Sequence, residues 1–373
     1  MSRIKDFVRS VLLSLIPVDG NCILFESESD FSENTRAVYD YMIRCGYNRN
    51  HKLIWNVRHP EQYMKVENVV FIDRNDRRFL NRIRWFYYLG RVKYFLFTHP
   101  YWLHEWKKSQ IVINLAHGNP LKGCKHRLYH VADYVLASGE DGVKYRKKEY
   151  LDTPEIVVLG PPRNDWLFEG RDCVLKYAGN CVFDKIIFCL PTFKQASGWR
   201  DSEEQNPFFI NTIASEVALN RLNEILRSNR CLMICKIHHL QVMDGLVLHN
   251  LSHIRYLDDE ALARNGDVLY QLLAGADALL TDFSSVYMDY LLLGRPIGFF
   301  TDQTEEYTRG FMVENPMDYM PGEKIEDFSG LVHFISGFDR EDLWKEQRKR
   351  VCKRIHKYSG NENSRRFVEY FEL

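Results

Sequence analysis

Twelve short apolar runs alternate with helical patterns along the whole chain, and this alternation constrains the fold more than any other feature. The first six are CILFE (22–26), KLIWNV (52–57), NVVFI (68–72), KYFLF (93–97), QIVINL (110–115) and YVLA (134–137). The second six are EIVVLG (155–160), KIIFCL (185–190), CLMICKI (231–237), HIRYL (253–257), DALLTD (277–282) and PIGFF (296–300). Continuously apolar runs of this length fit parallel strands covered on both faces. Their alternation with helices predicts doubly wound α/β sheets. Two series in 373 residues, 45% of them hydrophobic, predict two Rossmann-like domains with a large core in each. The turn-rich segment GPPRNDWLF, after the seventh run, is the expected hinge. The predicted domains are therefore 1–165 and 166–340. The segment 341–373 is predicted to be helical and charged and to cross back to the first domain.

Composition narrows the partners. Formal net charge is zero, so a general attraction to nucleic acid is not expected. The charge is unevenly spread, however. Residues 1–165 hold 26 Lys and Arg against 19 Asp and Glu, or +7, and the rest hold 24 against 31, or −7. A basic N-terminal half suits an anionic substrate or lipid surface. The stretch 74–93, RNDRRFLNRIRWFYYLGRVK, interleaves six arginines and a lysine with Trp85, Phe86, Tyr87 and Tyr88. It fits a lipid headgroup region, stacking on nucleic acid, or a helix with an aromatic core face and a solvated basic face. No run of about 18 apolar residues is present, so no transmembrane helix is expected. Near the N-terminus, Ile4, Phe7, Val8, Val11, Leu12 and Leu15 share one helical face. Such a helix either lies on a membrane surface or docks on its own domain. It is a poor secretory signal. The nine cysteines show neither CxxC nor Cys/His zinc spacing, and Cys189, Cys231 and Cys235 lie inside strand-like runs. They read as core thiols in a reducing cytoplasm.

The chemistry concentrates where strands end. In DALLTDFSSVYMDYLLLGRPIGFF (277–300), Thr281, Asp282, Ser284 and Ser285 fall between a strand and a helix. A helix N-terminus has unpaired N–H groups and partial positive charge, so small hydroxyl residues there suit a phosphate. An ordinary Ser/Asp cap is the plainer reading. His117 and Gly118 follow the fifth run, with Lys122 just beyond, and a loop histidine at a sheet edge can serve as a base. Pro191, Thr192 and Lys194 follow KIIFCL. Lys236 and His238 end CLMICKI on the same side of the strand, with Ile237 and His239 on the other, which leaves the Lys236 side facing a ligand. Polar loops that follow strands of the C-terminal half, the DFSS turn among them, fit a nucleotide diphosphate at one sheet edge. There is no GxxxxGK[ST] loop, no GxGxxG and no evident DxD metal motif, so no metal or other cofactor is expected. Cationic side chains and helix N–H groups would neutralise the diphosphate.

The segments HGNPLK, PTFK, KIHHL, TDFSSVYMDYLLLGRPIGFF and DQTEEYTRGF occur in the order seen in the CDP-glycerol glycerophosphotransferase family, the teichoic-acid polymerases and primases with related capsule enzymes. The chain resembles that family over roughly residues 20 to 345. The resemblance implies a GT-B fold with two domains facing a central cleft. It implies a cytoplasmic enzyme held at the inner face of the cell membrane. The implied reaction moves glycerol phosphate, or another polyol phosphate, from a CDP-polyol to an acceptor hydroxyl on a lipid-linked saccharide or polyol-phosphate polymer, releasing CMP. By the same resemblance His117 is the base, His238 a diphosphate contact and acid, Ser284 and Ser285 the family's serine pair, and Arg309 with Gly310 its Arg-Gly motif. His239 stands where the family commonly has proline. The chain resembles the catalytic core alone. Two rival readings are a GT-B glycosyltransferase using CMP-sialic acid or a UDP-sugar, and a non-catalytic nucleotide-binding protein.

Overall fold

The computed structural model describes residues 11–99, 106–119, 132–150, 154–192, 207–210, 212–238, 241, 243–301, 311–340 and 342–373. The chain divides into two compact units. The first comprises residues 1–118, 126–165 and 360–373, and the second 119–125 and 166–359.

The first unit is built on a seven-stranded parallel sheet in the order β3-β2-β1-β4-β5-β6-β7. Its strands are β1 (Asp19–Glu26), β2 (Lys52–Asn56), β3 (Val69–Ile72), β4 (Val92–Phe97), β5 (Ile111–Asn114), β6 (Tyr134–Ala137) and β7 (Glu155–Val158). Side chains alternate across each strand, so β1 feeds two cores. Ile23 and Phe25 join Leu53, Trp55, Val38 and Met42 on one face, with Phe367 and Val368 of the helix Asn363–Tyr370. Cys22 and Leu24 join Ile54 and Phe95 on the other, with Leu89, Trp85 and Tyr88 of the helix Phe79–Arg91. Burial on both faces is why these runs read as continuously apolar. Each fully buried Leu or Phe contributes on the order of 1.5–3 kcal/mol.

The second unit holds a six-stranded parallel sheet, β10-β9-β8-β11-β12-β13. Its strands are β8 (Lys185–Leu190), β9 (Cys231–Lys236), β10 (Ile254–Leu257), β11 (Ala278–Thr281), β12 (Ile297–Phe300) and β13 (Glu323–Ile325). Cys189, Met233, Cys235 and Leu280 meet Leu219, Leu222 and Leu226 of the helix Glu216–Ser228 and Phe334 of the helix Phe328–Gly337. Ser215 and Asp327 cap these helices through Ala218 N and Gly330 N. The strand β13 has no counterpart among the predicted runs. It is three residues long and carries Glu323 and Lys324, too short and too polar to register as a strand.

Two further points bear on the site. Both sheets have the doubly wound order, and it reverses between β1 and β4 in the first and between β8 and β11 in the second. Ligands of such sheets bind at the carboxyl ends of the strands beside that reversal. The expected helix after the DFSS turn is also short. It runs from Val286 to Tyr290 and continues as a 3-10 turn, Leu291–Leu293, ended by Gly294 at φ +67°.

Candidate active site

In the first unit, polar groups from four loops gather at the carboxyl edge around the β1/β4 reversal. Glu28 and Glu33 follow β1, His99 follows β4, His117 follows β5 and Arg163 follows β7. Nδ1 of His117 lies 3.4 Å from Oε1 of Glu33. The other oxygen of Glu33, Oε2, accepts from Nη1 of Arg163. The ring of His99 stands beside that of His117, with centroids 4.8 Å apart and planes tilted by 53°. Nε2 of His99 is 2.9 Å from Oε2 of Glu28.

This arrangement is held from beneath by buried amides. Asn34 donates from Nδ2 to the carbonyls of Leu115 (3.0 Å) and Ala116 (2.7 Å), and its Oδ1 accepts from Arg163 N at 3.0 Å. One side chain thus ties the helix Glu33–Arg44, the β5 loop and the segment after β7. Oδ1 of Asn114 accepts from Ala116 N at 2.8 Å, and the buried Arg146 donates to the Gly118 carbonyl. The backbone on either side of the histidine–glutamate contact is left-handed at residues other than glycine, with φ +64° at Glu33 and +58° at Ala116. Such conformations cost of order 1–3 kcal/mol each and persist where surrounding contacts over-determine them, as at functional sites.

Electrostatics favour a neutral imidazole. Desolvation is the largest influence on His117 and, against the upward pull of Glu33, takes its pKa down to about 4, with His99 and Arg163 pushing the same way. The side chain is still 47% exposed, and that water offsets part of the desolvation. Burial is also the largest influence on Glu33 and raises its pKa. Arg163, then His117 and His99, outweigh it and hold the carboxyl below its usual range.

In the second unit, the β8/β11 reversal is bridged by one carboxylate. Asp282 accepts from Thr192 N at 3.0 and 2.9 Å, from Thr192 Oγ1 at 2.6 Å and from Ser284 N at 3.2 Å. It fixes the loops after β8 and β11 against each other and shapes the turn that presents Ser284 and Ser285. Both serines are half-buried, as are Thr192 and His238. Ser285 starts the short helix with helical backbone angles and no side-chain cap bond.

Several of the residues singled out in the sequence have partners within the fold. Thr281 is fully buried and donates from Oγ1 to the Leu190 carbonyl at 2.7 Å, so it staples β11 to β8. Lys236 is 5% exposed; its Nζ donates to the Ile237 carbonyl at 2.6 Å and pairs with Asp259 at 2.9 Å. The alternation argument expected the Lys236 side of β9 to be open, but β9 is an interior strand covered on both sides, and Ile237 is buried too. Asp282 is a brace for the loops, and Pro191 is buried. Lys122, Lys194, His239, Arg309 and Gly310 lie outside the described residues. Glu28, Glu33, Asn34, His99 and Arg163 were not singled out in the sequence. Their common signal is position: each follows closely on a strand or opens the next helix.

Comparison with known proteins places the chain in a family. The model of the CDP-glycerol:poly(glycerophosphate) glycerophosphotransferase family matches residues 8–373. The teichoic acid poly(glycerol phosphate) polymerase of Bacillus spizizenii is 25% identical over 340 residues, covering 80% of this chain and 79% of that protein. The protein of the same name from Bacillus subtilis is 26% identical over 376 residues, covering 89% of this chain but only 46% of the relative. Among solved structures, the wall teichoic acid polymerase TagF superposes with a TM-score of 0.78 at 20% identity, covering 99% of this chain and 95% of that one. The likeness shows a shared fold, of the GT-B type.

Proposed function

Since the chain belongs to the CDP-glycerol:poly(glycerophosphate) glycerophosphotransferase family, it is a transferase of glycerol phosphate from CDP-glycerol in teichoic-acid-type synthesis, and we propose that His117 is the base of that transfer. The carrying observation is a half-exposed histidine, held neutral, at the sheet edge beside the order reversal and in contact with a half-buried carboxylate. In this reading the acceptor hydroxyl gives its proton to His117 and attacks the β-phosphorus. The bond to CMP breaks, and the electron pair leaves with CMP. The reaction asks little covalent chemistry of the protein, so positioning and charge stabilisation dominate. In this reading His238, Thr192, the serine pair, Arg309 and Gly310 are the groups that stabilise the charge on the phosphates. Lys122 and Lys194 are further donors to the phosphates.

The acceptor in this reading is a lipid-linked saccharide or a polyol-phosphate polymer, and the enzyme works as a peripheral protein on the inner face of the cell membrane. Among the described residues no helix is long and apolar enough to cross a membrane. The helix Phe79–Arg91 supports surface binding. Trp85, Tyr88 and Leu89 face the core, while Phe79, Ile83 and Tyr87, at i, i+4 and i+8, form an exposed stripe flanked by exposed Leu80, Arg82 and Arg84. An apolar stripe with flanking arginines fits an anionic bilayer surface. The test of the reaction is acceptor-dependent CMP release from CDP-glycerol, compared between wild type and His117→Ala.

A further inference from the structure

Resting on the reading of His117 as the base, we propose that Glu33 is its positioning residue: the carboxylate holds Nδ1–H and so assigns Nε2 as the atom that takes the proton of the acceptor hydroxyl. A neutral imidazole has one donor and one acceptor nitrogen, and the partner of one nitrogen fixes the role of the other. Here the partner of Nδ1 is an acceptor-only carboxylate 3.4 Å away. Contacts of this kind are long in unliganded enzymes and tighten when substrate binds.

The surroundings leave Glu33 little else to do. Arg163, 3% exposed, occupies its Oε2 and keeps it ionised, so Oε1 alone is directed at the histidine. Asn34, the next residue, is bonded to the two carbonyls that precede His117, so the helix start and the histidine loop move as one piece. Both Glu33 and Ala116 keep left-handed backbone that their residue types disfavour. His99 reaches the His117 ring from the β4 loop, yet its Nε2 is engaged with Glu28. Among the described residues, the charged or titratable groups that face His117 are Glu33, His99, Arg163 and Glu28, and of these Glu33 contacts its Nδ1. When Nε2 takes the proton, both nitrogens carry hydrogen and the ring is an imidazolium. The Glu33 carboxylate opposes that charge, and the proton then passes to water along the exposed edge of the ring. This is how a carboxylate behind a catalytic histidine acts, without itself taking the proton.

The experiment records histidine 15N spectra of the full chain, in wild type and in Glu33→Gln, together with pH–rate profiles of CMP release from CDP-glycerol. The wild type is expected to show His117 as the Nδ1–H tautomer. In Glu33→Gln that preference should disappear. The kcat should fall by about tenfold to a thousandfold with KM for CDP-glycerol within threefold. The acid limb of the profile should move to lower pH, because a negative charge that favoured the imidazolium is gone. Glu33→Asp should recover part of kcat. A purely structural role would lower the rate at every pH and leave the limb in place. An Nε2–H tautomer in the wild type overturns the proposal, even if Glu33→Gln fails to fold. So does a Glu33→Gln enzyme with kcat within threefold of wild type. If His117→Ala is inactive while Glu33→Gln behaves as wild type, the positioning role alone fails. If His117→Ala stays active, the base reading fails with it.

Discussion

Two carboxylates at the carboxyl edges of the two sheets have contrasting tasks. Glu33 sits behind a half-exposed histidine, whereas Asp282 accepts four hydrogen-bond contacts from Thr192 and Ser284 and braces the DFSS turn. Asp282→Ala leaves those donors without their acceptor, and each buried unsatisfied group costs about 1–3 kcal/mol. The expected outcome is a lower melting temperature together with weaker CDP-glycerol binding, read by thermal denaturation and calorimetry; full stability would refute the bracing role. His117 gives a pH prediction. Its folded pKa lies below its ordinary 6.5, near 4, so between those values the unfolded chain binds more protons than the folded one. Its contribution to stability is intact above pH 6.5 and shrinks as pH falls toward 4. Glu33 adds to this, since a carboxyl held below 4.5 loses its stabilising contribution as it is protonated. Melting temperature followed from pH 7 to pH 4 should fall less steeply in His117→Gln than in wild type.

At the level of elements, the helix after the DFSS turn has only five residues. With so few turns its macrodipole is weak, so in the proposed phosphate site the serine hydroxyls and side-chain cations would carry more of the work. Ser284→Ala and Ser285→Ala are each expected to weaken CDP-glycerol affinity severalfold, and Arg309→Ala to weaken it more, since it removes a full charge. Unchanged affinity in all three would place the donor elsewhere. The helix Phe79–Arg91 carries a second element-scale prediction. The protein should sediment with anionic vesicles and be released by salt, because each basic residue near such a surface contributes about 1 kcal/mol, screened over a Debye length. Changing Arg82 and Arg84 to Glu, or Phe79 and Leu80 to Ser, should abolish sedimentation, and persistence in both would remove this helix as the anchor.

For the whole molecule, the strand runs were legible because parallel strands buried on both faces carry an unbroken apolar signal. β6 and β8 coincide with YVLA and KIIFCL residue for residue, and the other predicted runs overlap their strands with ends shifted by a few residues at most. What escaped was whatever depends on tertiary approach. Glu33 and His117 are distant in the chain and meet only because β1 and β5 end at the same sheet edge. The occupancy of Lys236 depends on Asp259, which no local pattern links to it. Asp165 is a third case: buried, it accepts from Asn363 N, Asn363 Nδ2 and Ser364 N at 2.8–2.9 Å, which docks the C-terminal helix on the first unit.

Glycerol-phosphate transfer from CDP-glycerol, with His117 proposed as its base, is open to direct measurement. Its most direct test is CMP release with a lipid-linked acceptor, measured beside calorimetric donor binding in wild type and His117→Ala. The wild type is expected to release CMP only when acceptor is present. His117→Ala is expected to lose about 10²–10⁴-fold in turnover, with donor affinity within about threefold. Turnover in His117→Ala within about threefold of wild type, or no CMP release from CDP-glycerol by the wild type, would contradict it.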